Sequence, residues 1–139
     1  MFNLILVALD GSAHSLKALE CAGELAVKHG SKLILLHAFQ QTSDLLGSES
    51  FNQLVGERKE KGRQILEAAT ERLGQISVAV AENLLEGPAA DAIISVVETR
   101  GVDLVVMGTR GMGSLKGMVF GSVSTKVTHH APCSVLVVR

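Results

Sequence analysis

Four short, nearly unbroken apolar runs constrain this chain more than any other feature: Leu4 to Leu9, Leu33 to Leu36, Leu104 to Met107 and Val135 to Val138. A strand with one wet face alternates apolar and polar residues, whereas a continuous run must be covered on both faces. Between the runs lie stripes at helical spacing. Leu16, Leu19, Ala22 and Ala26 form one, Leu54, Ile65, Leu66, Ala69 and Leu73 a second, and Ala89, Ala92, Ile93, Val96 and Val97 a third. Buried strands alternating with amphipathic helices predict an α/β chain built on a parallel sheet.

Local signals set the expected boundaries. Strand one is expected at Asn3 to Leu9, closed by Asp10-Gly11-Ser12, and the helix after it stops at Gly30. Strand two spans Lys32 to Phe39, Gln40 to Ser50 reads as a polar loop, and the long helix that follows ends at Gly74. Strand three, about Ser77 to Leu84, mixes small and polar residues and suits a sheet edge. Helix three starts at the favourable first-turn proline Pro88. Strand four is Val102 to Met107, a last helix runs from Ser122 to His130, and strand five is Ser134 to Val138. With 139 residues and no repeat or linker, residues 1–139 read as a single domain. The expected architecture is one open five-stranded parallel sheet, order 3-2-1-4-5, with helices on both faces. In that order strands one and four are neighbours whose connections leave on opposite faces, and ligands bind outside the carboxyl ends at such a point. Those ends are Asp10 and Gly108.

Thirteen Lys and Arg against fourteen Asp and Glu leave a net charge of -1, which argues against a nucleic-acid or membrane-surface partner. No apolar run approaches the roughly 20 residues that span a bilayer, and no secretory pattern opens the chain. A cytoplasmic protein with reduced thiols is expected, so Cys21 and Cys133 read as small packing residues. The charge is unevenly spread. All the acids lie at or before Asp103, so the last 36 residues carry +4 from Arg110, Lys116, Lys126 and Arg139. Five of the fourteen glycines fall between Gly108 and Gly121. A glycine-rich, locally cationic segment therefore follows strand four at the crevice.

Two phosphate fingerprints fail there. No Gly-x4-Gly-Lys-Ser/Thr string exists, and after Gly111-x-Gly113 the dinucleotide pattern needs a glycine where Lys116 stands. What remains is Gly108-Thr-Arg-Gly111, nine residues, then Gly121-Ser122-Val-Ser124 opening a helix. A helix start offers unpaired N–H groups and partial positive charge, the two serines add hydroxyls, and Arg110 or Lys116 supplies full charge. Two readings stay open on the residues alone: a polyphosphate cradle, or tight turns with an ordinary N-cap.

Gly108-x2-Gly111-x9-Gly121-Ser122 resembles the nucleotide-binding motif of the universal stress protein family, in its ATP-binding branch. The likeness runs through Val7-Ala-Leu-Asp-Gly-Ser12, Leu35-Leu-His-Ala38, Glu86-Gly-Pro-Ala89, Val106-Met-Gly-Thr-Arg-Gly111 and Ala131-Pro-Cys-Ser-Val-Leu-Val-Val138. It implies a Rossmann-like fold of the adenine nucleotide alpha hydrolase-like kind and a nucleotide-dependent switch or sensor in the stress response. It further implies ATP as cofactor, with AMP or ADP as alternatives and Mg2+ or Mn2+ on the phosphates. Ala8, Leu9, Asp10, Ala38 and Met107 are the residues it places around adenosine. Gly108, Thr109, Arg110, Gly111, Gly121, Ser122, Val123 and Ser124 are those it places at ribose and phosphates. With no Trp or Tyr in the chain, the base would sit in an aliphatic slot, and the small Ala38 leaves room for it. Hydrolysis lacks an evident general base, an arginine finger or a dedicated magnesium carboxylate besides Asp10. A slow ATPase or phosphotransfer enzyme and a nucleotide-free dimerisation scaffold are the competing readings. Strand five carries four consecutive apolar residues with no charge before Arg139, so a homodimer pairing this edge is expected, as the resemblance also implies.

Other polar residues have plainer readings. Asp10, Ser12 and His14 invite a hydrolase triad, but no Gly-x-Ser-x-Gly elbow occurs. His129 and His130 are adjacent, so a helix points them about 100° apart. His37 is expected as a hydrogen-bonded core histidine and His29 as a helix-ending cation.

Overall fold

The computed structural model describes residues 1–43, 45, 47–109 and 121–139. Among the described residues nine elements follow in chain order: β1 Leu4–Ala8, α1 Ala13–His29, β2 Lys32–Phe39, α2 Ser48–Leu73, β3 Val80–Glu86, α3 Ala89–Arg100, β4 Leu104–Gly108, α4 Ser122–His130 and β5 Ser134–Val138. The strands form one parallel sheet in the order β3-β2-β1-β4-β5, as the apolar runs predict.

The differences from expectation are at the ends of elements. β3 starts at Val80 and continues to Glu86, two residues beyond Leu84, because its ladder tracks β2 from Leu33↔Val80 to Phe39↔Glu86. α2 starts at Ser48, inside the stretch read as loop. β4 begins at Leu104 and runs on through Gly108, which still pairs with Val138. The shifts of β3 and β4 follow a neighbouring strand, which local composition does not carry.

Alternation along the strands splits the core in two. Ile5, Val7, Leu33, Leu35, Leu104 and Val106 face α1 and α2, against Ala18, Leu19, Ala22, Ala26, Leu66 and Ala69. Leu6, Ile34, Leu36, Val105 and Met107 face α3 and α4, against Ala90, Ile93, Val96, Val97 and Val127. Ala18, Ala22 and Ala26 of α1 are fully buried, so this helix lies close on the sheet. Asp103 clasps the start of β1: its carboxylate accepts the N–H groups of Asn3 at 2.8 Å and Leu4 at 3.2 Å, and its own N–H donates to Leu4 O. β1 and β4 are thereby registered side by side, and the chain leaves β1 toward one face and β4 toward the other.

Candidate functional site

Both exits can be followed atom by atom. After β1, Asp10 Oδ1 accepts the Ser12 N–H at 2.9 Å, a local turn in which an aspartate satisfies the backbone two residues on. Ser12 is the N-cap of α1, accepting the Ser15 N–H on Oγ at 3.2 Å. The Ser15 hydroxyl returns to Ser12 O at 2.9 Å. The start of α1 is therefore covered by its own side chains.

The exit from β4 is built differently. Thr109 is 3% exposed, its N–H donates to Val138 O at 2.9 Å, and its carbonyl accepts the Gly121 N–H at 2.6 Å. The Ser124 hydroxyl donates to the same carbonyl at 3.0 Å, and Gly121 O lies 3.1 Å away. Residues 109 and 121 are thus pinned together, and α4 starts from that pin. Its N-cap is Gly121, which has no side chain to cap with. Thr125 N–H to Gly121 O is the first bond into the helix, so the N–H groups of Ser122, Val123 and Ser124 precede the intrahelical ladder.

The crevice wall on the α3 and α4 side is aliphatic. Ala8, Leu85 and Val123 pack at the edge of that core, with Met107 buried beside them. Ala38 is level with Leu85 across the β2–β3 ladder. Phe39 belongs to the other face, where the Lys59 ammonium lies 6.0 Å from its ring centroid. The small residues Ala8 and Ala38 and the glycine N-cap of α4 therefore share one end of the sheet. Leu9, by contrast, turns its side chain into the α1–α2 core, while its N–H donates to Leu36 O and its carbonyl receives His37 Nδ1 at 2.7 Å. Arg110 and Gly111 lie outside the described residues. Lys126 is held by Asp91 at 2.8 Å, an exposed pair on the α3–α4 surface.

His14 enters the site although the residue pattern pointed elsewhere. Its Nδ1 is 3.0 Å from Thr109 Oγ1, while Ser12 is engaged with Ser15, so Asp10, Ser12 and His14 do not assemble as a triad. Gly108 makes this approach possible: a Cβ there would stand 2.7 Å from His14 Cβ and 2.9 Å from its carbonyl carbon. The sequence signal was a glycine ending a central strand, which marks close helix packing but does not name the helix residue it meets.

Other titratable groups stand apart. His37 packs over Gly62 of α2, and His29 meets Phe2 edge-on with centroids 5.7 Å apart. Burial pushes the Cys21 thiol up, with the Glu24 carboxylate adding to it. Burial also raises the Cys133 thiol, against a backbone hydrogen bond at Val105 and with Asp103. Both are therefore poor nucleophiles at neutral pH. Among the described residues no group of three or more His, Cys, Asp or Glu is gathered to hold a metal ion, and no helix is long and apolar enough to cross a membrane. A hollow of about 320 Å³ lined by Leu9, Leu16, Lys61, Ile65 and Ala68 lies between α1 and α2, on the opposite face from Ala8 and Ala38.

Comparison with known proteins places this geometry. The model of the Universal stress protein family matches residues 1–139. A universal stress protein of Thermus aquaticus, from the QAH/OAS sulfhydrylase 3' region, is 37% identical over 139 residues, covering the whole of both chains. The universal stress protein YxiE of Bacillus subtilis (strain 168) is 39% identical over 148 residues, again covering both chains fully. A universal stress protein solved in complex with cAMP superposes with a TM-score of 0.76 at 26% identity, over 99% of this chain and 97% of that one. A family protein of Arabidopsis thaliana with AMP bound gives 0.71 at 26% identity, over 98% and 90%.

Proposed function

The chain belongs to the universal stress protein family, and from that premise we propose that it binds an adenine nucleotide, ATP in preference to AMP or ADP, between β1 and β4 and acts as a cytoplasmic nucleotide-dependent switch in the stress response. The observation that carries the reading is the start of α4 at a glycine N-cap, pinned to Thr109 at the switch point of the sheet. Backbone N–H groups and the positive end of a helix dipole favour an anion there. The aliphatic wall of Ala8, Ala38, Met107 and Val123 suits a flat base, and Asp10 offers carboxylate oxygens for groups of the nucleoside. Gly108, Thr109, Arg110, Gly111, Gly121, Ser122 and Ser124 are assigned to the ribose and phosphates, and Mg2+ or Mn2+ would be carried on the phosphate oxygens. Two similar proteins, solved with cAMP and with AMP, support the class of ligand.

Calorimetry with ATP, AMP and adenosine tests the reading. ATP is expected to bind at least about tenfold tighter than adenosine, since the helix start addresses phosphate rather than base. Equal affinities would remove the phosphate cradle.

The same reading includes a homodimer through β5 from Ser134 to Val138, within residues 1–139 acting as a single domain. β5 ends the sheet, and Leu136 is 36% exposed on an edge without a gatekeeping charge until Arg139. Two such edges pair about a twofold axis and close the assembly. Light scattering should give twice the monomer mass, and Leu136→Lys combined with Val137→Pro should give the monomer. A double variant that dimerises unchanged would place the interface elsewhere.

A further inference from the structure

Thr109 joins three parts of the crevice. Its N–H is held by β5, its carbonyl takes both the Gly121 N–H and the Ser124 hydroxyl, and its Oγ1 lies 3.0 Å from His14 Nδ1 on α1. With the backbone groups engaged, the hydroxyl is the polar group whose direction is still to be set. A threonine hydroxyl has one proton and two acceptor positions, and an imidazole nitrogen either donates or accepts. If Nδ1 accepts, Thr109 spends its proton on His14 and turns only lone pairs outward, toward which a phosphate oxygen is repelled. If Nδ1 carries the hydrogen, His14 donates to Oγ1 and the threonine proton is left for another acceptor. The docking of His14 is itself specified, because Gly108 has no side chain and admits the first turn of α1 onto the end of β4.

We propose that His14 is a positioning residue that orients Thr109: its Nδ1–H donates to Thr109 Oγ1, and the Thr109 hydroxyl then donates to a phosphate oxygen of the bound nucleotide. This rests on the nucleotide reading above. It gives α1, whose own start is capped, an indirect part in phosphate recognition through a side chain of the opposite exit. Asn at position 14 can present an amide N–H where the imidazole presents Nδ1–H, so it is the conservative replacement.

The test is a double-mutant cycle on the full chain, read by calorimetry with ATP and with adenosine. His14→Ala and Thr109→Val are each expected to weaken ATP about fivefold to tenfold, as one hydrogen bond to a charged group would. The double variant should be no weaker than the more affected single variant, because one bond cannot be lost twice. His14→Asn should bind ATP within about threefold of the original chain, and adenosine should bind all of them within about twofold. Multiplying losses in the double variant would overturn the proposal, as would an equal loss for adenosine. A folded His14→Asn chain as weak as His14→Ala would overturn it too, and His14→Leu, which also lacks the donor, takes the place of His14→Ala in the cycle should that chain fail to fold. If the unsubstituted chain binds no ATP, the nucleotide reading falls and this inference with it. If it binds and the cycle is additive, only the role of His14 falls.

Discussion

α1 begins with its own side chains folded over its first amides, whereas α4, across the crevice, begins with a glycine. Ser12 takes the Ser15 N–H and Asp10 takes the Ser12 N–H, so the first helix enters the sheet with a side-chain cap of its own. Gly121 offers α4 no such cap, although the residue is fixed by a 2.6 Å bond to Thr109. A side-chain cap contributes about 1 kcal/mol over alanine, and a glycine in its place gives up only a few tenths of that, so leaving the cap out costs α4 little stability. α2 and α3 also start without side-chain caps, at Gly47 and Pro88, but neither opens where β1 and β4 part. The difference between the two crevice helices bears on the proposed phosphate site: among the described residues, α1 has a side-chain cap and α4 has none from its own N-cap residue.

The contrast can be broken by giving α4 the kind of cap that α1 has. Gly121 sits at φ -78° and ψ 170°, extended backbone open to any residue, so Gly121→Asp should fold. Its carboxylate would occupy the helix start and repel phosphate. ATP affinity should fall by about a hundredfold or more, while thermal stability holds or rises slightly. Calorimetry beside thermal unfolding checks both signs, and undiminished ATP binding would show that α4 does not hold the phosphates. Next in size is Asp10→Ala. If Asp10 contacts the nucleoside, ATP and adenosine should weaken alike, on the order of tenfold. A loss confined to ATP would reassign it to a metal or phosphate. The smallest effect on binding belongs to Ser12→Ala, which should cost about 1 kcal/mol of stability by denaturant titration and change ATP affinity less than about twofold. A binding loss as large as that of Gly121→Asp would erase the distinction between the two starts.

The architecture was legible because burial on both faces leaves a plain mark: the runs at Leu4, Leu33 and Leu104 could only be strands of a covered parallel sheet. The place of the crevice was legible in outline, since the strand order sends Asp10 and Gly108 to it. Its wiring was not. That Thr109 gathers bonds from Gly121, Ser124, Val138 and His14 depends on contacts between residues far apart in the chain, and hydroxyls and imidazoles pair with many partners. Gly108 shows the limit well. Its place in a phosphate motif suggested a ligand contact, and the structure adds a second reason for the missing Cβ, the turn of α1 resting against it.

The clasp at Asp103 has a consequence for the making of the protein. The carboxylate that holds Asn3 comes 100 residues after it, and β4, the partner on one side of β1, follows directly. Closing so long a loop is entropically unfavourable, and contacts of such separation slow folding. As the chain leaves the ribosome, β1 can pair with β2 early, but its second edge stays open through the synthesis of α2, β3 and α3. An unpaired apolar strand is an invitation to other chains. A pause in translation between Glu86 and Leu104 would lengthen that exposure, and a slow codon there would be paid in aggregate rather than in any change to the finished fold.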